Sequence, residues 1–205
     1  MNAPQTEPHL RALVLTADQR SSRTSTDAVP QALGLLDHVP TLRSWERTAG
    51  DEFQGLLDSP AALTEALLLL MRDGRWHVGV GVGRTETPLP PSTRAGRGPA
   101  YVDARRAVER ARTSAHHVAV EGDAAWCRHL ESALWLWHDL LDRRSEKGWQ
   151  VVDLLAQGLT HERVAATLGV SQSAVSQRAS AAALAEELRA RELVTALATL
   201  CLEDR

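Results

Sequence analysis

Three carboxylates and one polar helix-like run carry the chemistry that the side chains suggest. Asp18 closes the apolar run Leu10–Ala17, and Asp51 sits in the turn Ala49-Gly50-Asp51, followed by Glu52. Neighbouring carboxylates supply the oxygen ligands that Mg²⁺ uses when it holds a triphosphate. The same residues also have plain structural readings. Gly-Asp is ordinary turn chemistry, and Asp18 is placed to pair with Arg20 or Arg23. Far down the chain, Ser171 to Arg178 is rich in Gln and Ser, whose amides and hydroxyls are suited to reading base edges. Other candidates are weak. Gly81-Val-Gly83 lacks the downstream glycine and acid of a dinucleotide site, and no GxxxxGK[ST] loop exists. His116 and His117 adjoin on an expected strand and would point to opposite faces, which argues against a two-His metal site there. Ser21, Ser22 and Ser25 have no identifiable His and Asp partners.

The elements that must position these residues fall into two halves. In the first, Leu10–Ala17 reads as a mostly buried strand and Thr26–His38 as a helix with Val29, Ala32, Leu33 and Leu36 on one side. Thr41–Thr48 and Glu52–Leu57 flank the hairpin turn. Ser59 caps a helix that Pro60 opens and that runs through Arg72. Trp76–Val82 alternates bulky residues with glycine, a strand whose glycine side is approached closely. Thr85–Gly98 is the longest loop, Pro99–Arg112 a helix and His116–Val120 a last strand. The order resembles a ferredoxin-like or palm βαββαβ arrangement with an added strand. In a palm, strand one and the hairpin lie side by side, so Asp18 and Asp51 would meet at one edge, with Glu52 beside them.

The second half is helical. Leu130, Leu134, Trp137 and Leu141 form a stripe at helical spacing. Helices are expected at Glu146–Gln157, with Trp149, Val152 and Leu155 buried, then at Thr160–Leu168 and from Gln172 to about Ala179. A long helix is expected from Ala181 to Leu202, carrying Leu184, Leu188, Leu193, Leu197 and Leu200 for packing or dimerisation. Thr160 and Ser171 can cap their helices. Gly169, four residues after the small Ala165, permits the left-handed turn, and Val175, six later, packs back on Val164 and Leu168. This is the spacing of a tight helix-turn-helix. The stretch Gly158–Arg178 resembles helix-turn-helix regulators. By that resemblance the second helix reads the major groove of double-stranded DNA. The DNA-binding residues would be Ser171, Gln172, Ser173, Ser176 and Gln177, with Arg163 and Arg178 on phosphates.

Residues from about 10 to 120 resemble the SatD-like family of bacterial proteins. The likeness rests on Thr16-Ala-Asp-Gln-Arg-Ser-Ser-Arg23, Ala49-Gly-Asp-Glu-Phe-Gln-Gly-Leu-Leu57, Val78-Gly-Val-Gly-Val-Gly83, and Gly98-Pro-Ala-Tyr101 with Ala104-Arg105. The same landmarks resemble, more distantly, class III nucleotidyl cyclases and GGDEF-type cyclases. That likeness implies Asp18 and Asp51 as ligands of Mg²⁺ carrying a nucleoside triphosphate. It implies Arg47, Gly50, Glu52 and Arg105 as nucleotide-binding residues, Arg47 at the base and Arg105 at the transition state. Tyr101 stands in place of the cyclase asparagine, and Ala49-Gly50 in place of the diguanylate cyclase glycine pair.

The 205 residues are 43% hydrophobic, enough for a core, with Lys+Arg 23 against Asp+Glu 26. Splitting after Gly122 leaves 14 basic and 14 acidic residues in the first part, 9 and 12 in the second, so charge does not mark the boundary. The mild acidity excludes a bulk polyanion binder but not a local nucleic-acid face. Two cysteines exclude a disulfide framework or Cys-type zinc site. No apolar run is long enough to cross a bilayer, and the first nine residues lack signal-peptide regions, so a cytoplasmic protein without a membrane partner is expected. The expected fold is α+β: a palm-like domain (1–122), a helical linker (123–144) and an all-α helix-turn-helix domain (145–205). The expected function is a DNA-binding transcriptional regulator, working as a homodimer, whose palm-like part senses a nucleotide or dimerises. The competing expectation is a nucleotidyl cyclase-like or phosphotransfer enzyme with a two-carboxylate Mg²⁺ site.

Overall fold

In the computed structural model, which describes residues 10–204, the chain begins with strand β1 (Leu10–Gln19). The first nine residues, read above for signal-peptide features, lie outside the described part. Helix α1 (Val29–Leu36) and the hairpin β2 (Thr41–Ala49) and β3 (Glu52–Leu57) follow. Next come α2 (Pro60–Asp73), β4 (Trp76–Thr85), a short 3₁₀ turn (Thr93–Ala95), α3 (Pro99–Ala111) and β5 (Val118–Gly122). The remainder is helical: α4 (Cys127–Asp142), α5 (Glu146–Ala156), α6 (His161–Leu168), α7 (Gln172–Ala181) and α8 (Leu184–Glu203). The fold is α+β, with one five-stranded mixed sheet and eight α-helices among the described residues. None of these helices is long and apolar enough to cross a membrane. Two compact units result. One runs to Trp135 and takes in the chain from Leu193 onward; the other is Leu136–Glu192.

The sheet order is β2-β3-β1-β4-β5, with β1 antiparallel to both neighbours and β5 parallel to β4. Alternation along β1 sends Ala12 and Val14 into a cluster with Leu56, Ala100, Tyr101 and Ala104, so α3 covers that face. Leu13, Leu15 and Ala17 point to the opposite face and are fully buried. The glycines of β4 let α3 come close. A Cβ on Gly79 would lie 2.2 Å from the Val108 nitrogen, and one on Gly81 2.0 Å from the Ala100 carbonyl oxygen. This close approach brings Arg112, the residue that follows α3, to Asp18 near the end of β1.

Several element boundaries differ from the sequence reading. α1 starts at Val29 rather than Thr26. The Gln19 side chain accepts from the Ala28 N–H and Asp27 from the Val29 N–H, which fixes the preceding turn, and Pro30 opens the helix. β5 starts at Val118, because His117 has φ +54 and its N–H bonds to the Ser114 carbonyl. His116 and His117 are therefore not strand neighbours: His116 stacks on Trp135 and His117 meets the His77 ring. The long C-terminal helix starts at Leu184 rather than Ala181: α7 continues to Ala181, and Ala183 at φ +52 separates it from α8. Its buried stripe is Val194, Leu197, Ala198 and Cys201, whereas Leu188 and Leu193 are exposed. In α5 Val151 is fully buried beside Val152, and Trp149 is half-buried.

Candidate functional site

At the end of β1 the register sets Asp18 opposite Glu52 on one side and His77 on the other. Asp18 is buried, and both its oxygens are taken by the Arg112 guanidinium, Nη2 to Oδ1 at 2.9 Å and Nε to Oδ2 at 3.1 Å. This is a bidentate charge-assisted pair, and it holds the Arg112 pKa above its ordinary value. The partners considered from sequence, Arg20 and Arg23, do not take Asp18. Arg20 instead donates to the Gly74 carbonyl at the end of α2 at 2.8 Å. Arg112 was not singled out from sequence, although it follows Arg105 by seven residues, two helical turns on the same face.

Asp18 and Asp51 do line one cavity of about 360 Å³, together with Ser21, Ser22, Arg23 and Arg112. A neighbouring cavity of about 400 Å³ shares Ser22, Arg23 and Asp51 and adds Asp27, Arg47 and Gly50. Both volumes fall within the usual range for small-ligand pockets. The loop between β1 and α1 forms their common wall. Ser21 has φ +56, and its carbonyl accepts from the Thr24 and Ser25 N–H groups. Buried Gln19 anchors the loop through Ser25 Oγ and the Thr26 carbonyl. Arg47 forms a two-pronged pair with Asp27 and donates to its own hairpin at the Gly50 carbonyl, 2.9 Å away. That pairing lowers the Asp27 pKa. Burial is the main reason that the His77 pKa lies below its ordinary value, which keeps the ring neutral at pH 7.

Glu52 and Arg105 stand apart from this cleft and meet each other. Arg105 Nη1 donates to Glu52 Oε2 at 2.7 Å, and Thr48 Oγ1 donates to Glu52 Oε1 at 2.6 Å. The donor set is therefore a poor match to a divalent cation. Both oxygens of Asp18 face a guanidinium, both oxygens of Glu52 are bonded, and Asp51 alone has no side-chain partner among the described residues. A cation at Asp18 would sit beside the positive charge of Arg112, which is unfavourable at short range.

A third cavity, of about 410 Å³, lies beside β5. Here α4 satisfies the free edge of the strand. Trp135 Nε1 donates to the Val118 carbonyl and Glu131 accepts from the Val120 N–H. An edge covered in this way is closed to pairing with another strand.

In the unit Leu136–Glu192, α5, α6 and α7 share a core of Val151, Val164, Ala165, Val175 and Ala179. Thr160 Oγ1 accepts from the Arg163 N–H, and Ser171 Oγ from the Ala174 N–H. Gly169 has φ +64, and the Val170 N–H reaches back to the Ala165 carbonyl at 3.0 Å. With Val175 and Ala179 turned inward, Gln172, Ser173, Ser176 and Gln177 are exposed on α7. Ser171 and Arg163 are exposed, and Arg178 is half-buried. No protein-family model matches the chain, and no curated protein matches it.

Proposed function

We propose that the chain is a DNA-binding transcriptional regulator of the cytoplasm. Its first part is a palm-like domain of the ferredoxin-like βαββαβ type, and a helix-turn-helix domain follows. The observation that carries the reading is the α6–α7 pair. A left-handed glycine joins two side-chain-capped helices, and the second presents Gln172, Ser173, Ser176 and Gln177 away from the core. Gln suits bidentate contact with adenine, and small hydroxyls suit either base edge. Arg163 and Arg178 supply phosphate contacts. The palm-like domain senses a nucleotide or dimerises, and the regulator acts as a homodimer, since paired reading helices match paired half-sites.

The test is selection of duplexes from a randomised DNA pool. The wild-type chain enriches a sequence; Gln172→Ala and Gln177→Ala relax it, and Arg178→Ala weakens all duplexes alike. Failure of the wild-type chain to enrich any sequence overturns the reading. A second reading, a nucleotidyl cyclase-like or phosphotransfer enzyme using Mg²⁺, draws support from the cavity that Asp18 and Asp51 share. The grip of Arg112 on Asp18 counts against it.

A further inference from the structure

The cleft beside β1 joins two features that do not serve a metal–triphosphate site together: carboxylates placed as for a cation, and one arginine, Arg112, already paired with Asp18 where the cation would sit. We propose that this cleft binds a phosphate-bearing nucleotide directly through Arg112 and Arg23, without a divalent cation. The proposal rests on the nucleotide-sensing reading of the palm-like domain and names how that ligand is held.

Arg112 uses Nε and one Nη2 hydrogen on Asp18, so its Nη1 group and remaining Nη2 hydrogen stay free to donate. The side chain is 43% exposed, against 9% for its carboxylate partner. Asp18 thus acts as a fixed seat that orients the fork, and the open edge of the guanidinium suits a planar two-point contact with phosphate oxygens. Arg23 lines both cavities and forms no ion pair among the described residues, so its charge is available to an anion. Ser21 and Ser22 add hydroxyl donors on the same wall. Asp51 lies at the junction of the two cavities, where an acceptor-only group suits the N–H donors of a base or the hydroxyls of a ribose rather than phosphate.

Thermal unfolding of the full chain with ATP, GTP, CTP and UTP, each in EDTA and in Mg²⁺, tests this. The expected result is a rise in Tm with at least one nucleotide that is as large in EDTA as in Mg²⁺. Arg23→Ala, which breaks no ion pair of the described structure, should weaken that nucleotide roughly 10-fold or more. Arg112→Lys keeps the charge but not the fork and should weaken it as well. A Tm rise that requires Mg²⁺ and disappears in EDTA overturns the proposal and leaves nucleotide sensing standing. No rise with any nucleotide in either condition overturns both. A metal-free rise unchanged in Arg23→Ala and Arg112→Lys overturns the assignment of the arginines.

Discussion

At the scale of residues, the most demanding feature lies in the helical unit. The Arg144 and Glu187 side chains are 0% and 2% exposed and joined at 3.0 Å. Arg144 also donates to the Ala182 carbonyl and lies 4.3 Å over the Trp149 ring, while Arg191 reaches the other Glu187 oxygen at 3.6 Å. Removing Arg144 leaves the buried Glu187 carboxylate with only the partly exposed Arg191 at 3.6 Å. Arg144→Met should therefore cost roughly 3–5 kcal/mol in urea unfolding, and adding Glu187→Leu should recover most of it. His77 makes the second residue-scale prediction. Asp18, Arg20 and Arg112 act on it, and the His117 ring lies 5.1 Å away. Its folded pKa lies below the ordinary 6.5, so the unfolded chain takes up the proton first. The stability this gives is complete above the unfolded value and is lost as pH falls through the folded one. Unfolding free energy should drop as pH falls below the ordinary 6.5 and through the lower folded value, and His77→Gln should flatten that limb. The nearness of Asp18 and Asp51, which line one cavity, was legible because strand and hairpin signals are local. Arg112 was not, because its partner lies 94 positions away in the chain.

At the scale of elements, two glycines have opposite roles. Gly81 in β4 faces the backbone of α3, so Gly81→Ala forces the helix off the sheet and should cost about 3 kcal/mol or more. Gly34, exposed within α1, would have nothing within 4 Å of an added methyl group, so Gly34→Ala should stabilise by about 0.5–1 kcal/mol. Denaturant titration of both variants checks the contrast. The alternation Gly79-Val80-Gly81-Val82 already announced a closely approached strand, and the caps Ser59, Thr160 and Ser171 already announced helix starts. What sequence did not disclose were features set by tertiary contacts. The start of α1 depends on Gln19 reaching nine residues ahead. The break before α8 depends on Ala183 adopting a left-handed turn without a glycine to mark it. The exposed Leu188 and Leu193 continue a leucine pattern that the buried Val194, Ala198 and Cys201 override.

At the scale of the whole molecule, charge limits how the proposed regulator can hold DNA. The formal net charge is −3, and Leu136–Glu192 itself has 7 Lys+Arg against 8 Asp+Glu. Affinity therefore cannot arise from a broad basic surface; it must come from a few placed contacts, repeated. With Arg163 and Arg178 as the phosphate contacts of one copy, log affinity should fall against log salt with a slope of roughly −2. Two copies on paired half-sites should give roughly −4. Fluorescence anisotropy of a selected duplex across a salt series, with sedimentation of the same complex, separates the two cases. The proposed homodimer predicts the steeper slope and a complex holding two chains. Arg178→Ala should then reduce the slope by about one for each copy bound, while Gln177→Ala leaves the slope unchanged and lowers only the preference for the selected sequence. A slope near −2 with one chain per duplex would assign the reading helix to a monomer. The role of the proposed palm-like part would then be ligand sensing rather than pairing.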